Sequence, residues 1–341
     1  MTRRLRFLVL NPSSLDLIQI QRPWLEALGV ELLGDASFKQ LQAQQLDGLL
    51  ENVQAVIGPG VVSVQARHMA AHPELQVISL ASSGYESEDL AAATRYGIVV
   101  CNAPLRSLAE VVADHTWALL LSVARQIPHH HQQLQAGNRQ RGMGAAVWGK
   151  TLGIVGLGNV GRAVARRAVG FEMCVLASDP APDQAFARQY GIQLVSLEEL
   201  LQRADFVSLH VRLGPATERL IGARELGLMK PTAYLINTAR QQLVDEVALT
   251  RAILSGGIAG AALDDPPQLP DSPLLRLPNV VFTPHIGNRV QESVEQVCRM
   301  AYQNAIDVLR GRRPASVVNP EVYRGRLRAP YPEEAVPEAS L

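Results

Sequence analysis

The sequence is poor in cysteine and has no excess charge of either sign. Cys101, Cys174 and Cys298 are the three cysteines among 341 residues, and they lack the paired spacing of a zinc site or a disulfide framework. Lys and Arg together number 32, as do Asp and Glu, so no global field would attract nucleic acid or an anionic membrane. We therefore expect a cytoplasmic protein whose partners are small molecules or a second copy of itself.

Long uninterrupted apolar runs are also missing, since none approaches the roughly 20 residues that span a bilayer. In the segment 107–127, apolar residues instead cover more than one face of a predicted helix. Such a helix must be buried on several sides. We expect it to lie in a domain core and to line the interface of a homodimer.

No metal site is expected. The run His129-His130-His131 is the most suggestive feature. However, neighbouring side chains on a helix point about 100° apart and do not converge on one ion.

Short apolar runs alternate with helical patterns along most of the chain, which favours parallel sheets with crossover helices in an α/β fold. A first series of strand-like runs covers 7–10, 30–33, 55–57, 77–81 and 98–101. A second series covers 153–155, 174–178, 206–211, 234–237, 258–263 and 280–283. Six candidates in the second series match the strand number of a dinucleotide-binding sheet.

The second series opens with a glycine turn, Gly156-Leu157-Gly158-Asn159-Val160-Gly161, between a strand and a predicted helix over 159–168. A dinucleotide pyrophosphate needs backbone N–H groups at a helix N-terminus. In such a turn the first glycine allows the bend, the second the close approach and the third the helix–strand packing. The pattern predicts a cofactor site at Gly156, Gly158, Asn159, Val160 and Gly161.

Asp179 follows the next strand, 18 residues after Gly161, where a carboxylate can accept hydrogen bonds from ribose hydroxyls. Its charge would repel the 2′-phosphate of NADP, and the next positions, Pro180 to Asp183, hold no arginine. We therefore predict NAD as the cofactor.

From Trp148 onward the sequence resembles the D-isomer-specific 2-hydroxyacid dehydrogenases, the family of D-3-phosphoglycerate, D-lactate, glyoxylate and formate dehydrogenases. Five segments carry the resemblance, in the order in which the family has them: 149–158 (GKTLGIVGLG), 229–231 (MKP), 236–240 (INTAR), 261–264 (AALD) and 283–287 (TPHIG). The segments 83–90, 97–104 and 112–115 are also similar to the family.

The resemblance implies two Rossmann-like or flavodoxin-like domains with parallel sheets, the cofactor domain being inserted into the substrate domain. On this basis residues 103–287 form the NAD-binding domain. Residues 1–102 and a returning helix within 288–322 form the substrate domain. Residues 323–341, rich in Pro and Glu, are expected to be a flexible tail.

The resemblance also implies a D-2-hydroxy acid/2-oxo acid substrate pair and a set of site residues. Arg240 would hold the substrate carboxylate, and His285 would be the general acid–base. Backbone N–H groups of Ser82, Ser83 and Gly84 would bind the same carboxylate from the other domain. The remaining positions predicted at the cofactor are Thr238, Ala239, Asp264 and Gly287.

One departure from the family pattern bears on catalysis. Family members carry a glutamate shortly after the Ala-Leu-Asp motif, and it bonds the catalytic histidine. Residues 263–273 (LDDPPQLPDSP) contain no glutamate. Gln268 is our predicted replacement, because formate dehydrogenases of the family pair glutamine with the histidine; Asp265 and Asp271 are alternatives if the loop folds differently.

The missing glutamate also leaves a second function open, a weakly catalytic or non-catalytic NAD-binding regulatory protein of the same fold. Retention of both Arg240 and His285 favours the enzyme.

Overall fold

The computed structural model describes residues 4–10, 15–34, 41–58, 62–325 and 327–328. The chain divides into two compact units, one formed by Met1–Leu105 with Val290–Leu341 and the other by Arg106–Arg289. The second unit is thus a continuous segment inserted into the first, with bounds that lie next to the predicted 103–287.

The described part of the first unit contains a parallel sheet in the order β2-β1-β3-β4-β5. Its strands are β1 (Leu5–Val9), β2 (Val30–Leu33), β3 (Ala55–Gly58), β4 (Val77–Leu80) and β5 (Val99–Cys101). Its helices are α1 (Leu15–Ala27), α2 (Leu46–Leu49), α3 (Ala66–Ala71) and α4 (Leu90–Arg95), joined by the late helix α12 (Gln291–Leu309). This is the flavodoxin-like strand order.

Helix α12 returns to cover one face of this sheet. Its buried side chains include Ala301, Tyr302 and Leu309, which share a core with Phe7 and other residues of the strands. The hydroxyl of Ser79 in β4 donates to the carbonyl oxygen of Ala301 at 2.8 Å, which fixes the helix on the sheet.

The described part of the second unit contains a longer parallel sheet in the order β12-β11-β10-β9-β6-β7-β8. Its strands are β6 (Thr151–Val155), β7 (Cys174–Ser178), β8 (Gln193–Leu194), β9 (Phe206–Leu209), β10 (Tyr234–Asn237), β11 (Gly260–Leu263) and β12 (Val280–Phe282). Its helices are α5 (Arg106–Ala124), α6 (Ile127–Gln135), α7 (Asn159–Ala168), α8 (Gln184–Gln189), α9 (Leu197–Arg203), α10 (Ala223–Leu228) and α11 (Glu246–Leu254). The strand order reverses at β6, which is the switch point where such sheets bind nucleotides.

The predicted fold class is confirmed, with one correction in the number of strands. The sequence predicts six strands in the second unit, and the edge strand β8 adds a seventh. It has two residues and pairs Gln193 and Leu194 with Leu176 and Ala177 of β7. Two residues are too few to show an apolar period.

Helix α5 is the apolar helix predicted over 107–127. By length and composition alone it could cross a membrane, which corrects the expectation that no segment comes near this limit. Its buried residues, among them Trp117 and Leu120, belong to the core of the second unit together with Val164 of α7. A buried helix in a protein core can have the same length and apolar composition as a membrane-spanning helix.

The start of the predicted flexible tail needs a second correction. Tyr323 lies in a 3₁₀ helix over Pro320–Arg324. The guanidinium of Arg328 donates to the carbonyl oxygens of Leu75 at 2.8 Å and Tyr96 at 2.8 Å, and also to those of Met69 and His72. The chain is therefore held in place as far as Arg328; residues 326 and 329–341 lie outside the described residues.

Candidate active site

The predicted glycine turn joins β6 to α7 at the switch point of the sheet. Gly156 has φ +92°, a conformation that favours glycine, and a Cβ atom there would lie 2.7 Å from the carbonyl oxygen of His210. A Cβ atom on Gly161 would lie 2.0 Å from the carbonyl oxygen of Gly156. At Gly158, the N-cap of α7, it would meet no atom of the described residues within 4 Å.

Close packing at Gly156 and Gly161, with open space at Gly158, fits a bound dinucleotide. Gly156 and Gly161 are needed for the packing of the turn itself, whereas none of the residues that the structure describes fills the space at Gly158. Asn159 and Val160 begin the ten residues of α7, whose N-terminal N–H groups and positive dipole end favour a pyrophosphate.

Asp179 follows β7 and contacts the same turn. One carboxylate oxygen accepts the N–H of Leu157 at 2.7 Å, and the other accepts the N–H of Ala181 at 2.8 Å. A carboxylate has about four acceptor positions, so these two bonds leave capacity for ribose hydroxyls. The structure thus places Asp179 beside the turn, and its contact with the ribose stays a prediction.

A second group of predicted site residues lies at the carboxyl ends of β10, β11 and β12 in the same unit. Thr238, Ala239 and Arg240 follow β10, Asp264 follows β11, and His285 and Gly287 follow β12. Adjacent parallel strands end at one edge of a sheet. The fold therefore brings together residues separated by up to about fifty positions in sequence.

Asp264 fixes the loop that carries His285. Its carboxylate accepts the hydroxyl of Thr283 at 2.6 Å and the N–H groups of Ile286 at 2.9 Å and Gly287 at 2.7 Å. His115 Nε2 lies 3.3 Å from the same carboxylate. Burial alone would raise the pKa of Asp264, but these hydrogen bonds lower it below its ordinary value.

Gly287 is required by this close contact. A Cβ atom at that position would lie 2.7 Å from the Asp264 carboxylate. In this structure Asp264 and Gly287 therefore serve the geometry of the loop.

The next residue, Asp265, holds the imidazole of His285. Its Oδ1 lies 2.7 Å from His285 Nδ1, and its Oδ2 accepts the N–H of Gln241 at 2.9 Å. His285 has φ +56°, in the left-handed region that residues other than glycine rarely adopt. The bonds of Asp264 to the neighbouring backbone hold it there.

Asp265 also has the largest influence on the pKa of His285. The hydrogen bond to Asp265 raises the pKa of His285 above its ordinary value, while burial and the positive charge of Arg240 oppose the rise. Because the imidazole is about half exposed, solvent weakens all of these interactions.

The predicted pairing of Gln268 with His285 is wrong. The amide nitrogen of Gln268 donates to the carbonyl oxygens of Gln241 at 3.2 Å and Val244 at 3.3 Å. Asp265, one of the two alternatives, makes the contact. The physical reason is position: Asp265 is the second residue after β11, whose end lies beside the end of β12, so a short side chain reaches the imidazole.

Thr238, Ala239 and Arg240 form the turn after β10. The hydroxyl of Thr238 lies 2.8 Å from that of Thr116 in α5, and the N–H of Ala239 donates to the side chain of Asn237 at 3.0 Å. The guanidinium of Arg240 donates to the carbonyl oxygen of Ala239 at 2.7 Å. The turn is thus fixed by side-chain hydrogen bonds on both sides.

Ser82, Ser83 and Gly84 belong to the first unit and follow β4. The hydroxyl of Ser82 donates to the carbonyl oxygen of Gly84 at 2.8 Å, and the side chain of Asn102 donates to that of Ser83 at 2.8 Å. The substrate contacts predicted for this segment stay a prediction.

Sequence reasoning missed His115, Thr283 and Asn237 as parts of the site. Each of them bonds a residue that the sequence did single out. Thr283 and Asn237 lie at strand ends, which is the signal that could have found them, whereas His115 is in the middle of α5.

Comparisons with known proteins agree with this geometry. A family model described as D-isomer specific 2-hydroxyacid dehydrogenase, NAD binding domain, matches residues 117–287. The glyoxylate reductase of Korarchaeum cryptofilum is 40% identical over 272 residues, which cover 77% of this chain and 82% of the relative. The chain belongs to the D-isomer specific 2-hydroxyacid dehydrogenase family.

Other members of the family show the same relation. The D-3-phosphoglycerate dehydrogenase of Methanocaldococcus jannaschii is 40% identical over 269 residues, 76% of this chain, which spans about half (51%) of that relative's length. The crystal structure of an NAD-complexed D-isomer specific 2-hydroxyacid dehydrogenase from Lactobacillus delbrueckii ssp. bulgaricus has a TM-score of 0.74 and 27% identity. The match covers 92% of this chain and all of that one.

As a D-isomer specific 2-hydroxyacid dehydrogenase, the protein is an NAD-dependent oxidoreductase that acts on a CH–OH group. None of these comparisons supports the non-catalytic alternative. The missing glutamate does not leave His285 without an acidic partner, because Asp265, at the start of the loop after β11, lies 2.7 Å from its Nδ1.

Proposed function

We propose that the protein interconverts a small 2-oxo acid and the corresponding D-2-hydroxy acid, with His285 as general acid–base and Arg240 as the group that binds the substrate carboxylate. The contact between His285 and Asp265 is the observation that supports this proposal most directly. It gives the imidazole a fixed orientation and a raised pKa beside a positively charged guanidinium.

NADH supplies the hydride that reduces the carbonyl carbon. The residues of this chain handle the proton. With Nδ1–H donated to Asp265, the Nε2–H of the imidazolium is the proton that reaches the substrate oxygen. The balance is one 2-oxo acid, one NADH and one proton giving one 2-hydroxy acid and one NAD⁺.

His285 is better suited to this role than His210, a second histidine at a strand end of this unit. Burial lowers the pKa of His210 to about 3, so it is neutral at physiological pH. Its Nε2 is also occupied by the hydroxyl of Ser208 at 2.9 Å. His285 is the histidine of this pair that can be an imidazolium near neutral pH.

The guanidinium of Arg240 presents a planar fork that matches a carboxylate. Its charge would also stabilise the negative charge that develops on the carbonyl oxygen. A substrate with a carboxylate next to its carbonyl group fits both roles. The names of the relatives suggest glyoxylate, pyruvate and 3-phosphohydroxypyruvate as the first 2-oxo acids to try.

The experiment is NADH oxidation against a panel of 2-oxo acids, with Arg240→Ala and Arg240→Lys beside the wild type. We expect turnover by the wild type, a loss of kcat/KM of about 30-fold or more in the alanine variant, and partial rescue by lysine. NADH binding without turnover on any acid would contradict the proposal.

We also propose that the protein is a cytoplasmic homodimer with small-molecule partners rather than nucleic acid or membrane partners. The balance of 32 basic and 32 acidic residues supports small-molecule partners. The dimer is supported by exposed apolar side chains in and after α6. Ile127, Leu134 and Trp148 are 54%, 60% and 67% exposed, and no described residue of α6 is buried.

A further inference from the structure

Gln268 lies in the loop after β11, three residues beyond Asp265, and links that loop to the segment before α11. Its side-chain N–H groups donate to the carbonyl oxygens of Gln241 and Val244 at 3.2 and 3.3 Å. Gln241 is also the residue whose N–H donates to Asp265. The segment 241–244 therefore contacts both the side chain of Asp265 and the side chain of Gln268.

Glu246, the first residue of α11, binds the backbone of the same loop. Its Oε2 accepts the N–H of Gln268 at 2.5 Å and the N–H of Leu269 at 3.3 Å. Two N–H donors on one carboxylate oxygen form charge-assisted hydrogen bonds, which are stronger than bonds between neutral groups.

The residues between Asp265 and Gln268 explain why such bonds are needed. Pro266 and Pro267 have no N–H group, so Gln268 is the first residue after Asp265 whose backbone can donate a hydrogen bond. The loop also borders a pocket lined by Asp265, Gln268, Glu246 and apolar side chains such as Leu249 and Phe282.

We propose that Gln268 and Glu246 are positioning residues that hold Asp265 against His285. Both act through the loop backbone and neither touches the imidazole. The inference rests on the proposed role of His285 as general acid–base. It gives Gln268 a function different from the direct pairing that the sequence suggests.

A positioning role and a direct contact of residue 268 with His285 predict opposite pH shifts for Gln268→Glu. If residue 268 touched the imidazole, a carboxylate there would stabilise the imidazolium and move the loss of 2-oxo acid reduction to higher pH. In the structure the new carboxylate would face the carbonyl oxygens of Gln241 and Val244, and both hydrogen bonds would be lost. Asp265 would then bond His285 less well, and 2-oxo acid reduction would be lost at a lower pH.

The experiment compares wild type, Gln268→Glu and the control Gln202→Glu. Gln202 is exposed in α9, so the control adds the same charge elsewhere on the same unit. Two readouts are measured: the pH profile of kcat/KM for 2-oxo acid reduction, and the NMR titration of the His285 ring, assigned with His285→Gln. We expect Gln268→Glu to move both midpoints down by about one pH unit, and Gln202→Glu to leave them unchanged.

Glu246→Gln is the second variant, for the case that Gln268→Glu does not fold. It keeps an acceptor oxygen but removes the charge, so we expect a smaller shift in the same direction. Midpoints that stay in place or move up in the folded variants would overturn the proposal. Failure of the proposed function is distinguishable, because it would leave the wild type without turnover while the NMR titration still reports on the loop.

Discussion

At the scale of single residues, Asp264 and Asp265 are neighbours with different tasks. The carboxylate of Asp264 is bound to the backbone and the threonine of the loop after β12, whereas that of Asp265 is bound to the imidazole itself. Successive residues at a strand end point in different directions. One aspartate can therefore shape the loop while the other orients the ring that the loop carries.

Asp264→Asn should lower the stability of the protein by about 2–4 kcal/mol at pH 7, because a buried carboxylate loses charge-assisted hydrogen bonds. The lowered pKa means that the carboxylate stabilises the fold above its unfolded pKa of about 3.9, and that this contribution disappears as the pH falls through the folded value. Thermal melts of both proteins should converge on acidification. An equal gap in Tm at pH 7 and in strong acid would contradict this role.

Asp179→Ala should narrow the preference for NADH over NADPH. The substitution removes an acceptor for ribose hydroxyls and a charge that repels the 2′-phosphate. It also removes the bond to the N–H of Leu157, so some loss with both cofactors is expected. The measurement is the ratio of kcat/KM for the two cofactors, and an unchanged ratio would show that Asp179 does not select the cofactor.

The residues of the site differed in how well the sequence predicts them. The glycine turn, Asp179, Arg240 and His285 belong to segments whose local pattern and family resemblance point to a function. The sequence does not indicate which residue contacts His285, because that contact depends on the path of the loop after β11. Residue spacing does not determine the path of a loop with two consecutive prolines.

At the scale of secondary-structure elements, β6, the glycine turn and α7 form the part that would bind the cofactor. The strands were predictable because parallel strands buried on both faces are continuous apolar runs. The edge strand β8 was not predictable, since it is only two residues long. The ordered segment that ends at Arg328 was not predictable either, because the hydrogen bonds of Arg328 reach residues more than 200 positions away.

Alanine substitutions in the turn should separate folding from cofactor binding. Gly161→Ala should lower Tm, because its Cβ would collide with the carbonyl oxygen of Gly156, whereas Gly158→Ala should leave Tm unchanged. Gly158→Ala should weaken NADH binding instead, because the Cβ would enter the space that we assign to the pyrophosphate. Tm and a fluorescence titration with NADH measure the two effects.

Gly170→Ala is the matched control for both variants, since a Cβ there would have no atom of the described chain within 4 Å and the residue is not in the turn. We expect neither Tm nor affinity to change. If Gly158→Ala bound NADH as tightly as the wild type, the pyrophosphate would not lie at this turn.

At the scale of the whole molecule, the exposed apolar side chains around α6 bear on the proposed dimer. The segment after α6 contacts the end of α5, since the N–H of Ala145 donates to the carbonyl oxygen of Ala124 at 2.7 Å. Trp148 follows this segment and is 67% exposed. A large exposed aromatic residue is a common anchor of protein interfaces.

Trp148→Glu should therefore convert the dimer into a monomer or weaken it strongly, because it would place a charge in the interface. Leu254→Glu is the control, since Leu254 is 62% exposed and lies at the end of α11. Sedimentation analysis measures the mass. A wild type that sediments as a monomer, or equal effects of both variants, would contradict an interface at Trp148.

We infer that Asp265 takes the place of the missing glutamate and keeps His285 protonated for 2-oxo acid reduction. A raised pKa extends the acid form to higher pH, and activity is lost as the pH rises through that value. The decisive measurement is the pH profile of kcat/KM for wild type and Asp265→Asn. We predict that the loss of activity in the variant moves to lower pH; coincident profiles would show that Asp265 does not keep His285 protonated.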